Sequence, residues 1–163
     1  MPPSISVRDL DASLDEAWAV DALGGLSGRW QARRGELVDV PSLPGLVAEL
    51  DGERAGLLTY DEDEDETEIA ALLAVVQRRG IATALVQELR RRVTGPIWLV
   101  TTNDNLVAQA FYARLGFRVR EIRRGAVDES RRTLKPSIPL IGDSGLPIID
   151  EVEMVLDPEP RRR

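Results

Sequence analysis

The most constraining feature of this sequence is the alternation of two patterns between residues 67 and 122. Apolar, strand-like runs alternate there with stretches whose apolar residues recur every three or four positions, as on one face of a helix. Breakers such as Thr94-Gly95-Pro96 and Gly116 separate them. The predicted strands span 67–76, 97–102 and 117–122, and the predicted helices span 80–93 and 104–115, the latter capped by Asp104.

Strands dominate the first half of the chain. Residues 5–10 alternate apolar and polar side chains, and 37–40 and 45–60 add further strand-like runs. Asp51-Gly52 divides the last run into a hairpin, because this dipeptide favours a tight two-residue turn. A helix capped by Asp11 or Ser13 follows the first strand. This order of elements predicts an α/β (α+β) fold, with a mixed sheet that carries helices on its faces.

Residues 125–150 depart from this regular pattern. Proline and glycine interrupt them repeatedly, although 128–134 has a helical pattern. A loop of this length is uncommon inside a compact domain, so we predict a functional or lid-like segment. The chain has no repeat and no linker. We therefore predict a single domain over 1–157, with a last strand at 151–156, and a charged tail over 158–163.

The composition excludes several kinds of chemistry. The chain has no cysteine and no histidine, which removes thiol nucleophiles, Ser-His-Asp triads and most zinc sites, and we predict no metal. A formal net charge of −7 disfavours nucleic acid and favours a cationic substrate. The longest apolar run, 69–76, is far shorter than the roughly 20 residues of a membrane span. We expect a cytoplasmic protein that binds neither nucleic acid nor membranes.

The segment Gln77-Arg78-Arg79-Gly80-Ile81-Ala82 precedes and opens a predicted helix. A helix N-terminus exposes unpaired N–H groups and a partial positive charge, so cations are unfavourable there. Arg78 and Arg79 nevertheless stand at this position, with no capping side chain just before the helix. An external anion such as a diphosphate would supply the missing acceptors, and Gly80 would let it approach the backbone. The alternative is a surface turn with two solvated arginines.

A second motif lies in the next predicted helix, where Asn105 is followed by Ala108, Phe111-Tyr112 and Gly116-Phe117. Together with Gln77-x-x-Gly80-x-Ala82, it resembles the GNAT family of acetyl-CoA-dependent N-acetyltransferases. That family carries Gln/Arg-x-x-Gly-x-Gly/Ala at its diphosphate loop, and an Asn, an Ala and a Phe-Tyr pair before a Gly-Phe. The sequence departs from the family at residues 73–76, which are apolar, and at Ala82, which replaces the commoner glycine.

The resemblance implies a fold and a co-substrate. The fold is a GNAT-like mixed, mostly antiparallel central sheet of six to seven strands with helices on both faces. The co-substrate is acetyl-CoA. Its pantetheine arm would contact the backbone of Ala70, Ala71 and Leu72 and the side chain of Asn105. Its diphosphate would lie on the loop formed by Gln77, Arg78, Arg79, Gly80, Ile81, Ala82 and Thr83.

The resemblance also implies roles in the reaction. An amine must lose its proton before it attacks a thioester, and the attack gives a tetrahedral oxyanion that the N–H of Leu72 would stabilise. Tyr112 would protonate the departing thiolate as a general acid. Phe111 and Tyr112 are separated by about 100° around a helix, so we expect Phe111 to face the core and Tyr112 the cofactor. The alternative is that Tyr112 is a packing residue.

Glu66 and Glu68 are the candidate general bases. Strand alternation predicts that both lie on the same face as Leu72, where GNAT family members often place a carboxylate. Two alternatives stay open. The carboxylates are solvated beside the acidic turn 61–66, or the reaction uses no dedicated base.

These patterns predict an N-acetyltransferase that transfers acetyl from acetyl-CoA to a primary amine by direct attack. The acceptor is the amine of a small molecule, a peptide or a protein, and we expect a monomer or a homodimer. The alternative function is a non-catalytic acyl-CoA-binding sensor or regulatory module. Arg33-Arg34 and Arg131-Arg132 are interpreted as solvated pairs, with recognition of an anionic substrate group as the alternative.

Overall fold

The computed structural model describes residues 4–160, except the side chains of residues 26 and 27. Within this range the chain forms two compact units, one of residues 4–29 and 39–95 and the other of residues 30–38 and 96–160. The strands are β1 Ile5–Asp9, β2 Trp30–Arg33, β3 Glu36–Asp39, β4 Gly45–Leu50, β5 Glu53–Glu62, β6 Thr67–Ala74, β7 Ile97–Thr102, β8 Arg118–Arg123 and β9 Glu151–Leu156. The helices are α1 Ala12–Ala22, α2 Leu26–Arg29, α3 Ile81–Arg92, α4 Leu106–Arg114 and α5 Ala126–Thr133, with a short 3₁₀ turn at Val40–Ser42.

The first unit contains an antiparallel sheet in the order β1-β4-β5-β6. The tight turn predicted between β4 and β5 is confirmed, because Leu50 pairs with Glu53 and leaves only two residues in the loop. Asp51 and Gly52 both have positive φ, at 52° and 85°. Two successive left-handed residues define a turn whose twist matches the twist of the flanking strands.

Helices pack on both faces of this first sheet. On one face, Leu57 of β5 forms a buried core with Val47 of β4 and Ala19 of α1. The next residue back along β5 is Gly56, which therefore faces the other way. A Cβ at Gly56 would lie 2.4 Å from the side chain of Ile81 in α3, so α3 packs on the second face.

An ion cluster fastens α1 to its sheet. Asp15 has a fully buried side chain, and the guanidinium of Arg8 on β1 donates to both of its oxygens at 2.7 and 2.9 Å. Arg54 on β5 donates to Asp15 at 2.8 Å, and the N–H of Asp11 donates at 2.9 Å. The hydrogen bonds from Arg8 hold the pKa of Asp15 well below its usual range, although burial alone would raise it.

We expect Asp15→Asn to destabilise the protein by about 3 kcal/mol, the lower end for breaking a buried pair, because both guanidiniums still reach water. A carboxyl whose pKa is depressed on folding stabilises the protein above about pH 5 and loses that contribution as the pH falls. The wild type should therefore lose more stability than the variant between pH 7 and pH 3 in urea denaturation. Asp21→Asn, at an exposed position of α1, is the control. Parallel pH dependences of wild type and Asp15→Asn would contradict this account.

The second unit contains an antiparallel sheet in the order β7-β9-β8 and a two-stranded ribbon of β2 and β3. β9 is the central strand, and all six of its residues are buried. This includes two charged residues, Glu151 and Glu153, each 2% exposed. Buried carboxylates of this kind require cationic partners, since an isolated buried charge is very unfavourable.

Arginines supply those partners, and Arg34 is the main one. It lies at the tip of the ribbon, where its N–H donates to Glu151 and its guanidinium donates to Glu153 at 2.5 and 2.8 Å. The same guanidinium lies 3.8 Å from the ring centroid of Trp98. Arg120 of β8 donates to the other oxygen of Glu153 at 2.8 Å. Arg34 is exposed, as expected of a solvated pair, but its hydrogen bonds to β9 also make it the anchor of the ribbon.

The predicted fold class is confirmed. Four antiparallel strands in one unit and three in the other make seven strands in two sheet segments, with helices interspersed, as expected of a mixed, mostly antiparallel α/β protein. The sequence did not predict β2 or α2, which are only four residues long. The assignment of 1–157 to a single domain, with 158–163 as a tail, stays a prediction.

Candidate functional site

A β-bulge interrupts β6 at the residues assigned to the pantetheine arm. Thr59 of β5 pairs with Ala71 and Tyr60 pairs with Ile69, so Ala70 has no partner on β5. A bulge of this kind leaves one residue outside the regular ladder and bends the strand. Ala70 is therefore the residue of this strand that stands outside the register with β5.

The bulge also reverses the alternation of side chains along β6, so the expectation that Glu66 and Glu68 share the face of Leu72 is wrong. Leu72 pairs with Leu58, whereas Glu68 pairs with Asp61. Positions 58 and 61 are three apart on an unbulged stretch of β5 and point to opposite faces. Glu68 therefore lies on the face opposite to Leu72, and it is only 4% exposed.

Glu66 lies outside the strand, in the turn between β5 and β6. Its N–H donates to the carboxylate of Asp63 at 2.8 Å, and its carbonyl accepts from the N–H of Asp63 at 3.0 Å. The N–H of Asp65 donates to the same carboxylate at 2.8 Å. These backbone hydrogen bonds, from Glu66 first and Asp65 next, hold the pKa of Asp63 below its usual range. Glu66 thus closes an ordered acidic turn, whereas Glu68 is the buried carboxylate of the strand.

The N-terminus of α3 has the form expected of an anion site. Gly80 occupies the N-cap in the left-handed conformation, with φ 75°, and no side chain caps the helix. Arg78 is also left-handed, at φ 60°, which is uncommon for a residue with a side chain. Alternating backbone conformations of this kind turn successive N–H groups toward one side and form a concavity that suits anions. The first N–H groups of the helix have no acceptor within it.

The surroundings of this segment leave room for a ligand. All six residues from 75 to 80 are exposed, and a Cβ added at Gly80 would meet no atom within 4 Å. Gln77 folds back so that its Nε2 donates to the carbonyl of Ala74 at 3.0 Å. The structure therefore places Gln77, Arg78, Arg79 and Gly80 in one exposed turn, followed by the helical residues Ile81, Ala82 and Thr83.

Gly56 is a site-supporting residue that the sequence reasoning missed. Besides its closeness to Ile81, a Cβ at this position would lie 3.1 Å from the side chain of Leu85 and 3.0 Å from the carbonyl of Leu73. The first turns of α3 thus pack directly on β5. This contact fixes the position of the N-terminus of the helix. A glycine inside an apolar strand pattern is the sequence signal for such a close approach.

The second unit carries Asn105 at the start of α4. Its side chain accepts a hydrogen bond from the N–H of Ala108 at 3.1 Å, so Asn105 is the N-cap of the helix. The prediction that Asp104 caps this helix is wrong. Asp104 is buried instead, accepts a hydrogen bond from the hydroxyl of Thr102 at 2.5 Å, and lies where a Cβ on Gly142 would be.

Tyr112 is the buried aromatic residue of α4, at 8% exposure, whereas Phe111 is only half-buried. This reverses the expectation that Phe111 faces the core. The ring of Tyr112 makes edge contacts with Phe111 and Phe117, at centroid distances of 5.2 and 5.3 Å. Burial raises the pKa of Tyr112 well above that of a free phenol, so its hydroxyl is protonated at neutral pH.

The segment 125–150 begins with α5 and is then fastened to the start of α4. Asn103 accepts from the N–H groups of Ile149 and Asp150, both at 2.9 Å, and donates to the carbonyl of Pro147 at 2.9 Å. Arg131, only 14% exposed, donates to three backbone carbonyls of the segment, those of residues 138, 139 and 148. Arg131 is therefore an internal anchor, and its interpretation as solvated is wrong.

Across residues 4–160, no three acidic side chains are grouped in a way that could hold a metal ion. No helix in the same part of the chain is long and apolar enough to cross a membrane.

Comparison with known proteins identifies the family. The sequence model described as Acetyltransferase (GNAT) family matches residues 12–117, which include both the Gly80 segment and the Asn105 motif. The chain belongs to the GNAT acetyltransferase family. The family model ends at Gly116-Phe117, so the β8-to-β9 part of this GNAT chain, with its 125–150 segment, lies outside the match.

This GNAT chain is also similar to individual proteins, in sequence or in fold. It is 41% identical over 109 residues to the uncharacterized protein YxbD of Bacillus subtilis, covering 64% of this chain and 68% of YxbD. The ribosomal-protein-S18-alanine N-acetyltransferase of Escherichia coli has a similar fold, with a TM-score of 0.66 at 20% identity over 98% of this chain and 97% of the other. A GNAT family acetyltransferase from Elizabethkingia anophelis, solved with acetyl-CoA bound, has a TM-score of 0.68 at 16% identity over 94% and 97%.

Proposed function

We propose that this GNAT family member is an N-acetyltransferase that transfers acetyl from acetyl-CoA to a primary amine. The observation that carries the proposal is the uncapped N-terminus of α3, with left-handed Gly80 open to solvent behind Arg78 and Arg79. A doubly charged diphosphate suits such a site, because it accepts several N–H bonds and meets the positive end of the helix dipole.

In this proposal the N–H groups from Arg78 to Thr83 hold the diphosphate, and Gln77 shapes the turn before them. The backbone of Ala70, Ala71 and Leu72 holds the pantetheine arm. The bulge supports this assignment, because it leaves the backbone of Ala70 out of the pairing with β5. Asn105 uses its side-chain oxygen to cap α4, which leaves its Nδ2 as the donor for the arm.

The N–H of Leu72 stabilises the oxyanion of the tetrahedral intermediate in this scheme. Tyr112 then acts on the leaving thiolate. Its hydroxyl is protonated at neutral pH, since burial raises its pKa. A phenol with a raised pKa is a weaker acid than a thiol, whose pKa is about 8.5, so complete proton transfer is costly. Tyr112 therefore acts chiefly by donating a hydrogen bond to the developing thiolate, and the thiolate takes its proton from solvent after it leaves.

Glu68 is the preferred base in this proposal, because it is the buried carboxylate beside the bulge. Glu66 is the weaker candidate, because its backbone is committed to the turn with Asp63. The net charge of −7 favours a cationic acceptor, either a small amine or an amine of a peptide or protein. We also propose that the protein is a cytoplasmic monomer or homodimer without nucleic-acid or membrane partners.

The test is turnover with a panel of amines. Purified protein, acetyl-CoA and each amine are mixed, free thiol is measured continuously, and the acetylated amine is identified by mass spectrometry. We expect thiol release that depends on at least one amine, with one acetylated amine formed for each thiol. Protein that is stabilised by CoA, yet releases no thiol with any small amine or peptide, would support the non-catalytic acyl-CoA-binding module instead.

A further inference from the structure

The hydroxyl of Thr59 is buried and has no hydrogen-bond partner among residues 4–160. Thr59 lies inside β5 and is 0% exposed. An unpaired hydroxyl in such a place destabilises the folded protein, and an isosteric valine would avoid that cost. A group of this kind calls for an explanation, and a bound water molecule is the ordinary one.

The position of Thr59 in the sheet indicates which other groups a water at its hydroxyl would contact. Thr59 pairs with Ala71, directly beside the bulged Ala70. Asp61 is two residues further along β5, on the same face as Thr59, and pairs with Glu68. Glu68 is thus the diagonal neighbour of Thr59 across the two strands, a separation of about 7–8 Å between backbones that long side chains can span.

Two polar side chains therefore lie on one face of adjacent strands, within reach of a single water: the hydroxyl of Thr59 and the carboxylate of Glu68. A buried water typically makes about three hydrogen bonds, so these two groups and the acceptor amine are sufficient to hold one. A water that makes two hydrogen bonds of about 2.8 Å can bridge two groups that are too far apart for a direct hydrogen bond.

We propose that Thr59 is a positioning residue for the proton transfer, and that its hydroxyl holds a water molecule which links the acceptor amine to Glu68. This proposal rests on the proposed acetyl transfer. The protonated amine gives one proton to the water, and the water gives one of its protons to the Glu68 carboxylate. The neutral amine is then the nucleophile, and the carboxylic acid returns the proton to solvent after the reaction.

The decisive variants are Thr59→Val and Thr59→Ser. Valine removes the hydroxyl and keeps the shape, so the melting temperature should stay the same or rise. Turnover should nevertheless fall by about 10-fold or more, and the acid limb of the pH–rate profile should move, because general-base catalysis is typically worth 100-fold or more. Serine restores the hydroxyl and should restore both the turnover and the acid limb of the pH–rate profile. Thr67→Val, a buried threonine on the opposite face of β6, is the control and should retain wild-type turnover.

The possible results separate this proposal from the proposed function. Wild-type protein that turns over no amine contradicts acetyl transfer, and the role of Thr59 falls with it. Wild-type turnover that Thr59→Val leaves unchanged at every pH contradicts the role of Thr59 alone. A high-resolution crystal structure of the wild type provides a check that needs no variant. A water within hydrogen-bond distance of both the Thr59 hydroxyl and the Glu68 carboxylate supports the proposal, and its absence overturns it.

Discussion

Replacing Tyr112 by phenylalanine is expected to lower turnover by about 100-fold or more, the usual effect of losing a hydrogen-bond donor to a developing negative charge. The change should leave the fold intact. The structure shows no hydrogen bond from the Tyr112 hydroxyl to residues 4–160, and the edge contacts with Phe111 and Phe117 need only the ring. Affinity for CoA should stay within a few-fold of wild type, because the role is confined to the leaving thiolate.

The measurement is kcat and KM for acetyl-CoA with the best acceptor, together with calorimetry of CoA binding and a melting curve. Tyr60→Phe is the matched control, since Tyr60 is the other tyrosine of the chain and has no assigned role. Unchanged turnover in Tyr112→Phe would show that Tyr112 is a packing residue. A large loss of CoA affinity would assign it to binding rather than to chemistry.

Gly80→Glu is expected to weaken CoA binding by about 100-fold, or about 2.7 kcal/mol. Space alone does not forbid the side chain, since a Cβ at Gly80 meets no protein atom within 4 Å. The effect comes from placing a carboxylate and its methylenes where the diphosphate would lie, and from repulsion between the two anions. A side chain at φ 75° adds backbone strain, which the controls must remove from the comparison.

Two controls isolate these causes in calorimetry. Gly52→Glu adds the same side chain at another left-handed, uncrowded glycine, in the turn between β4 and β5, and should leave CoA affinity unchanged. Gly80→Gln keeps the bulk and strain without the charge, so it should bind CoA more tightly than Gly80→Glu but less tightly than the wild type. Wild-type affinity in Gly80→Glu would refute the assignment of the loop.

Local signals explain why much of the fold could be predicted. Asp51-Gly52 specifies a turn by itself, and the apolar stripe through Leu85 and Leu89 specifies α3. The place of Gly80 at the N-terminus of α3 could also be predicted, because a glycine before an uncapped helix is a local feature. Each of these features depends on residues within a few positions of one another, so no knowledge of tertiary contacts was needed.

The features of the fold and the site that were not predicted depend mostly on tertiary contacts that the local sequence does not show. The bulge at Ala70 exists only in relation to β5, and nothing in the local sequence shows it, so the predicted face of Glu68 was wrong. The role of Arg34 was missed because its partner Glu153 is 119 residues away in the sequence. The role of Arg131 was missed because its partners are backbone carbonyls, which no residue type signals. The cap of α4 was misplaced by one residue, since Asp104 and Asn105 are both good caps and contacts with residues 142 and 144 occupy Asp104.

The most direct test of the account is a crystal structure of the protein with acetyl-CoA. We predict diphosphate oxygens within hydrogen-bond distance of backbone N–H groups between Arg78 and Thr83, and the pantetheine arm along Ala70 to Leu72. Diphosphate bound elsewhere, with the N-terminus of α3 still contacting only solvent, would contradict the central claim that Gly80 opens the cofactor site.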